Sequence, residues 1–138
     1  MFTKSNVLAT IAGGIVLFFG GWIFYDMLAA DFYAAHYSVG ATALMKVATL
    51  RTMLFIAVGC LVQAFVMSTV FSKLADKSNG FYYGVYFGGF VGFGINFLTY
   101  GIMNVVDKTG LLVDGIWSLI FYGIIGWVIA FVSKKFAS

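Results

Sequence analysis

The chain reads as an all-alpha integral membrane protein, a four-helix transmembrane bundle with both termini in the cytoplasm. Three observations lead there. Of its 138 residues, 62% are hydrophobic and only 9% charged, whereas a soluble domain carries about 25% charged residues. The apolar residues gather into four long stretches, with a mean hydropathy of +1.02 over the whole chain. The lysines fall between and outside those stretches. Lysines, Arg51 and five aspartates, with no glutamate, are too few to cover a water-exposed surface. That composition excludes a water-soluble enzyme, a secreted disulfide scaffold and a disordered binder. The single cysteine, Cys60, permits no internal disulfide. The net charge of +3 is a topology signal, and no nucleic-acid partner is expected because no basic face is built.

The apolar stretches cover residues 7–28, 52–71, 81–103 and 111–132 of a single transmembrane domain, 1–138. Each holds about 20 residues, enough for a helix to cross a hydrocarbon core of about 30 Å. None alternates as a barrel strand does, and a barrel needs at least about eight strands. The first stretch follows Lys4 in the manner of a signal peptide, but its apolar core is longer than a usual one, so an uncleaved first span is expected. It carries the paired glycines Gly13–Gly14 and Gly20–Gly21. The connection 29–50 follows, with Phe32, Tyr33 and Tyr37 as rings suited to the headgroup level. Within it, 41–50 is either a short interfacial helix or an ordinary loop leading into the second span.

The second span places Cys60 as a small apolar filler and Gln63 near the bilayer midplane. A buried amide there needs a partner, with Asn96 or a carbonyl of the first span as candidates. The polar turn 73–80 ends in Asn79–Gly80, a pair suited to a tight reversal. The third span carries Gly80, Gly84, Gly88 and Gly92 at four-residue steps, then Asn96, Tyr100 and Asn104 in the same rhythm. Small residues let helix backbones approach closely in lipid, so Gly84, Gly88, Gly92, Gly13 and Gly20 are the expected helix-packing positions. A four-residue step drifts about 40° per repeat on a helix of 3.6 residues per turn. Gly84 through Gly92 therefore serve one crossing, and Asn96 and Tyr100 are expected to turn toward another neighbour. Near the start of the fourth span stands Asp114, with Trp117 and Ser118 on its helical face. With no proline anywhere, proline kinks are excluded.

Four spans put the N-terminus, the 73–80 turn and the C-terminus on one side. That side holds Lys4, Lys73, Lys77, Lys134 and Lys135, against Lys46, Arg51 and Lys108 opposite. The excess of positive charge places both termini in the cytoplasm. Ionisable and amide groups in a membrane are pointers to function. The candidate ligand-binding set is Asp26, Arg51, Asn96, Tyr100, Asn104, Asp114 and Trp117, all toward the outer end, with no comparable gathering at the cytoplasmic end. Two readings stay open: a solute pocket, or an Arg51 bridge to Asp26 or Asp114 that locks helix ends together. A cavity facing Asp114 favours the first, and dry packing around an Arg–Asp bridge favours the second.

No Gly-x-Ser-x-Gly, His-Glu-x-x-His or Walker motif is present, so a non-enzyme is favoured. His36, with Asp31 upstream, is too little for a metal site, and neither metal nor cofactor is expected. Through Thr99-Tyr100-Gly101, Asn104, Val113-Asp114 and Trp117, the C-terminal half resembles a family of small four-span bacterial inner-membrane proteins of unknown function. Ile102, Met103 and Val105 are less polar than that pattern. The resemblance implies a multi-pass protein of the bacterial inner membrane and draws attention to Tyr100, Asn104, Asp114 and Trp117, but implies no reaction. The function expected is a binding or transport module for a small or amphipathic solute. The alternatives are a structural or accessory membrane protein and, third, a lipid-modifying enzyme. Membrane lipid is the expected partner, with a homodimer or higher homo-oligomer because the glycine surfaces exceed what one small bundle needs, or an unidentified membrane protein.

Overall fold

The computed structural model describes residues 3–74 and 79–137. The middle of the 73–80 turn, with Asp76 and Lys77, lies outside the described residues. Helix α1 (Lys4–Trp22) starts where the Thr3 hydroxyl accepts the Asn6 N–H at 3.2 Å, and it runs on as a π segment, Ile23–Leu28. Helix α2 (Ala30–His36) and a 3-10 turn (Ala41–Leu44) occupy the connection to α3 (Leu50–Lys73). Thr49 and Thr52 cap α3 reciprocally. Helix α4 (Gly80–Gly89) continues through a second π segment, Phe90–Ile95, into α5 (Asn96–Ile102). Helix α6 (Lys108–Lys135) is capped by Asp107, whose carboxylate accepts the Gly110 N–H at 2.8 Å. Four continuous rods result, Lys4–Leu28, Leu50–Lys73, Gly80–Ile102 and Lys108–Lys135, each long and apolar enough to cross a membrane. No strand forms among the described residues, only one isolated antiparallel bridge between Tyr37 and Val106.

Two local details sharpen the sequence reading. Segment 41–50 is not one helix: Gly40, at φ 85°, turns the chain into the short Ala41–Leu44 turn, and Met45 is already extended. The helix of this connection is α2, upstream. Asn79, read as part of a tight turn, instead caps α4 by accepting the Tyr82 N–H at 3.2 Å.

Helix α6 is the hub of the bundle. It lies along α4 and α1 and touches α3, whereas α1 and α4 do not meet among the described residues. The glycine ladder explains the closest of these approaches. A Cβ on Gly84 would fall on the Tyr122 carbonyl, one on Gly88 on the Ser118 carbonyl, and one on Gly80 on the Gly126 carbonyl. Backbone meets backbone, which only the missing side chains allow. On the other side of the hub, Gly13 faces Ile129 and Ala64, and Gly20 faces the Phe121 ring. The ladder is thus filled by contacts within the chain, while Gly21, Gly59 and Gly101 border open space.

The core gathers toward the end that carries the termini. Ala9, Ala64, Met67, Ile125 and Ile129 are fully buried there, and Phe71 and Tyr83 close the layer. The Tyr83 hydroxyl donates to the Met67 carbonyl at 2.5 Å, joining α4 to α3. This end also has a polar clasp that the sequence reading did not foresee. Buried Asn6 accepts from the Ser68 hydroxyl at 2.5 Å and donates to Thr69 at 3.1 Å. Serine and threonine inside an apolar run disappear into the hydropathy average, yet in lipid such groups bond across helices. Packing is dense here and opens toward the opposite end.

Candidate solute site at the Asp114 end

Asp114 is the centre of the opposite end. One carboxylate oxygen accepts the Tyr25 hydroxyl at 2.5 Å and the Tyr33 hydroxyl at 3.0 Å. The other accepts the Asn96 amide at 2.5 Å. One acid thereby joins the first rod, α2, the third rod and α6. Burial, then the charge of Asp114, raise the Tyr33 phenol well above its ordinary pKa. It therefore remains a proton donor to the carboxylate across the physiological range.

The two π segments flank this centre. Tyr25 and Asp26 belong to the first, and Asn96 directly follows the second. In a π turn the hydrogen bonds reach five residues back rather than four, so the wider turn suits a four-residue repeat better than an α turn does. This corrects the expected drift. Asn96 does not swing toward another neighbour but stays on α6, the helix that Gly84, Gly88 and Gly92 contact.

Two cavities share this wall. The larger, about 520 Å³, is bounded by all four rods: Leu17, Trp22 and Asp26 from the first, Met53, Ile56, Cys60 and Gln63 from α3, Val91 from the third, and Ser118, Phe121 and Tyr122 from α6. The smaller, about 300 Å³, is lined by Tyr33, Tyr37, Thr99, Tyr100, Met103, Val105 and Val106, with Gly110 and Leu111 of α6. Tyr25, Asn96 and Asp114 line both. Such volumes, with mostly apolar walls and a few convergent polar groups, suit a small ligand. Cys60 is therefore a cavity wall rather than only a filler. Gln63 is partnered by neither Asn96 nor a first-span carbonyl; its side-chain oxygen accepts the Tyr122 hydroxyl.

The candidate residues divide. Asp26, Asn96, Tyr100 and Asp114 meet at the cavities. Asn104 instead accepts the Ser38 hydroxyl at 2.7 Å in the covering connection. Trp117 stacks on Phe24 with centroids 3.8 Å apart, and its buried indole N–H has no hydrogen-bond partner among the described residues. Arg51 is exposed, lines neither cavity, and forms no ion pair with Asp26 or Asp114 among the described residues. It leads α3, which packs mainly on α1 and only weakly on α6.

Above the smaller cavity the two connections are strapped together. Ser38 N–H donates to Val105 and Asp107 N–H to His36, at 3.0 and 2.9 Å. His36 pairs with Asp107 at 2.7 Å rather than with Asp31. Tyr25 and Tyr33 were missed as site residues because a tyrosine at an apolar boundary reads as a headgroup ring. Their common signal, two phenols within reach of one acid, exists only once α2 folds back. Among the described residues no three potential metal ligands gather. Searches against protein-family models, characterised proteins and solved structures find no match for this chain.

Proposed function

We propose that this chain is a membrane module that binds or moves a small amphipathic solute, with its polar site at the Asp114 end. The observation that carries the reading is the cavity of about 520 Å³ between the four rods, headed by Asp114 and walled by apolar side chains. A solute's polar group meets the carboxylate and its apolar body follows the walls. We place the protein in a bacterial cytoplasmic membrane with both termini inside and the Asp114 end outward, supported by the lysines at the termini end. Gly59, which borders open space on α3 and lines neither cavity, supports a homodimer or larger assembly, and light scattering on the detergent-solubilised protein measures it.

The test uses the only cysteine. A trifluoroethylthio group on Cys60 reports by fluorine NMR when octanol, octanoate or octyltrimethylammonium enters the cavity. The control carries Val66→Cys in a Cys60→Ala chain, at an exposed position of α3 outside this cavity and outside the apolar groove that Val58 and Leu61 line. A response at 60 that is absent at 66 supports the reading. Equal responses at both positions mean simple partition into the micelle and overturn it.

A second reading has its own observation. Asp114 joins three separate segments by hydrogen bonds, as a purely structural or accessory protein would require. Under it, Asp114→Asn lowers stability while the Cys60 resonance ignores all three octyl compounds.

A further inference from the structure

We infer that the solute at the Asp114 end carries a small ammonium headgroup. This rests on the binding reading above and names the class of solute. Charge is the first support. Asp114 lines both cavities and Asp26 the larger, whereas no lysine, arginine or histidine lines either among the described residues. The three donors to Asp114, two phenols and an amide, are all neutral. Hydrogen bonds from neutral groups leave the negative charge of a carboxylate in place, and in a site of low dielectric that charge attracts a cation and repels an anion.

Ring faces are the second support. Tyr25, Tyr33, Tyr37 and Tyr100 line the smaller cavity together with Asp114. Aromatic walls beside a carboxylate are the chemistry that holds alkylammonium groups. The shared wall is the third. Tyr25, Asn96 and Asp114 belong to both cavities, so an ammonium group in either space meets the same carboxylate. The headgroup belongs either to a free alkylammonium compound or to an amine-bearing lipid.

The fluorine-labelled full chain in maltoside micelles tests this. Octyltrimethylammonium is expected to saturate the Cys60 response at a concentration about tenfold below octanol and octanoate. Asp114→Asn removes that preference. The Tyr100 hydroxyl makes no hydrogen bond among the described residues, so Tyr100→Leu takes away one ring of the cavity wall and narrows the gap about threefold to tenfold with little risk to folding. Lysophosphatidylethanolamine forms a further arm. Saturation by it below octyltrimethylammonium assigns the site to a lipid headgroup, the reverse order to a free alkylammonium, and either supports the ammonium class. Binding of octanol or octanoate as tight as that of the cation overturns the inference and leaves the binding module standing. A preference that survives both variants overturns the assigned residues. Silence of Cys60 toward every compound sinks both.

Discussion

At the scale of single residues, the chemistry concentrates on two aspartates with opposite surroundings. Asp114 is partly enclosed and held by neutral donors, so each donor removed leaves it less satisfied. Tyr33→Phe deletes one bond to a carboxylate, nominally worth about 1.5–3 kcal/mol, but bonds measured inside membranes average about 0.6 kcal/mol. A loss of about 1 kcal/mol is therefore expected in denaturant titrations of the solubilised protein, and none for Tyr82→Phe, whose exposed ring makes no such bond. Asp107 is exposed, and the Gly110 N–H, then His36, hold its carboxyl below the usual carboxylate range. A depressed folded-state value stabilises above the unfolded value of about 4 and ceases to do so as pH falls through the folded one. Thermal melts between about pH 2 and 6 should thus show an acid-side loss that Asp107→Asn flattens. Asp114 and Asn96 were legible in the sequence because a polar side chain stands out in an apolar run. Arg51 misled for the same reason: sign and hydropathy propose a pair, but only helix adjacency makes one.

At the scale of elements, the ladder and the π segments divide the work. Gly80 through Gly92 set the distance between α4 and α6, and the second π segment keeps Asn96 aimed at the same helix. Gly88→Ala puts a methyl onto the Ser118 backbone, where no rotamer change relieves it. Overpacking of this kind costs about 1–3 kcal/mol. Gly59→Ala meets nothing within 4 Å and should stabilise α3 by up to about 1 kcal/mol. The same denaturant titration separates the two. The four apolar elements were legible because hydropathy needs no partner to be read. The π segments were not: they answer to the fit between two helices, and periodicity in one helix says nothing of that fit. The buried clasp at Asn6 was hidden likewise, since Ser68 and Thr69 are ordinary inside an apolar stretch until α1 lies against them.

For the whole molecule, the arrangement is a closed base and an open top around one hub. The termini end is centred on buried Ile125, Ile129 and Met67, with an apolar groove between α1 and α3 outside them, and the two cavities that Asp114 lines lie toward the other end. Orientation is the prediction that belongs here. In a Cys60→Ala chain, Ala137→Cys, at an exposed position beyond α6, should react with a membrane-impermeant maleimide only from the cytoplasmic side, and Val39→Cys only from outside. The reverse pattern would put the solute site on the inner face. Four long helices and the common side of the termini followed from apolar length alone. Which rod neighbours which did not, because glycine spacing marks a close approach without naming the helix approached.

The central place of α6 also bears on synthesis. A chain is made from its N-terminal side onward, and α6 follows the other three rods. Until it arrives, the glycine face of α4 has no surface to meet, and Asn96 and Tyr25 lack the carboxylate they bind. The first three rods are therefore an incomplete assembly, with only α1 and α3 able to pair extensively. A nascent protein of this design must hold three apolar rods in waiting until α6 has docked.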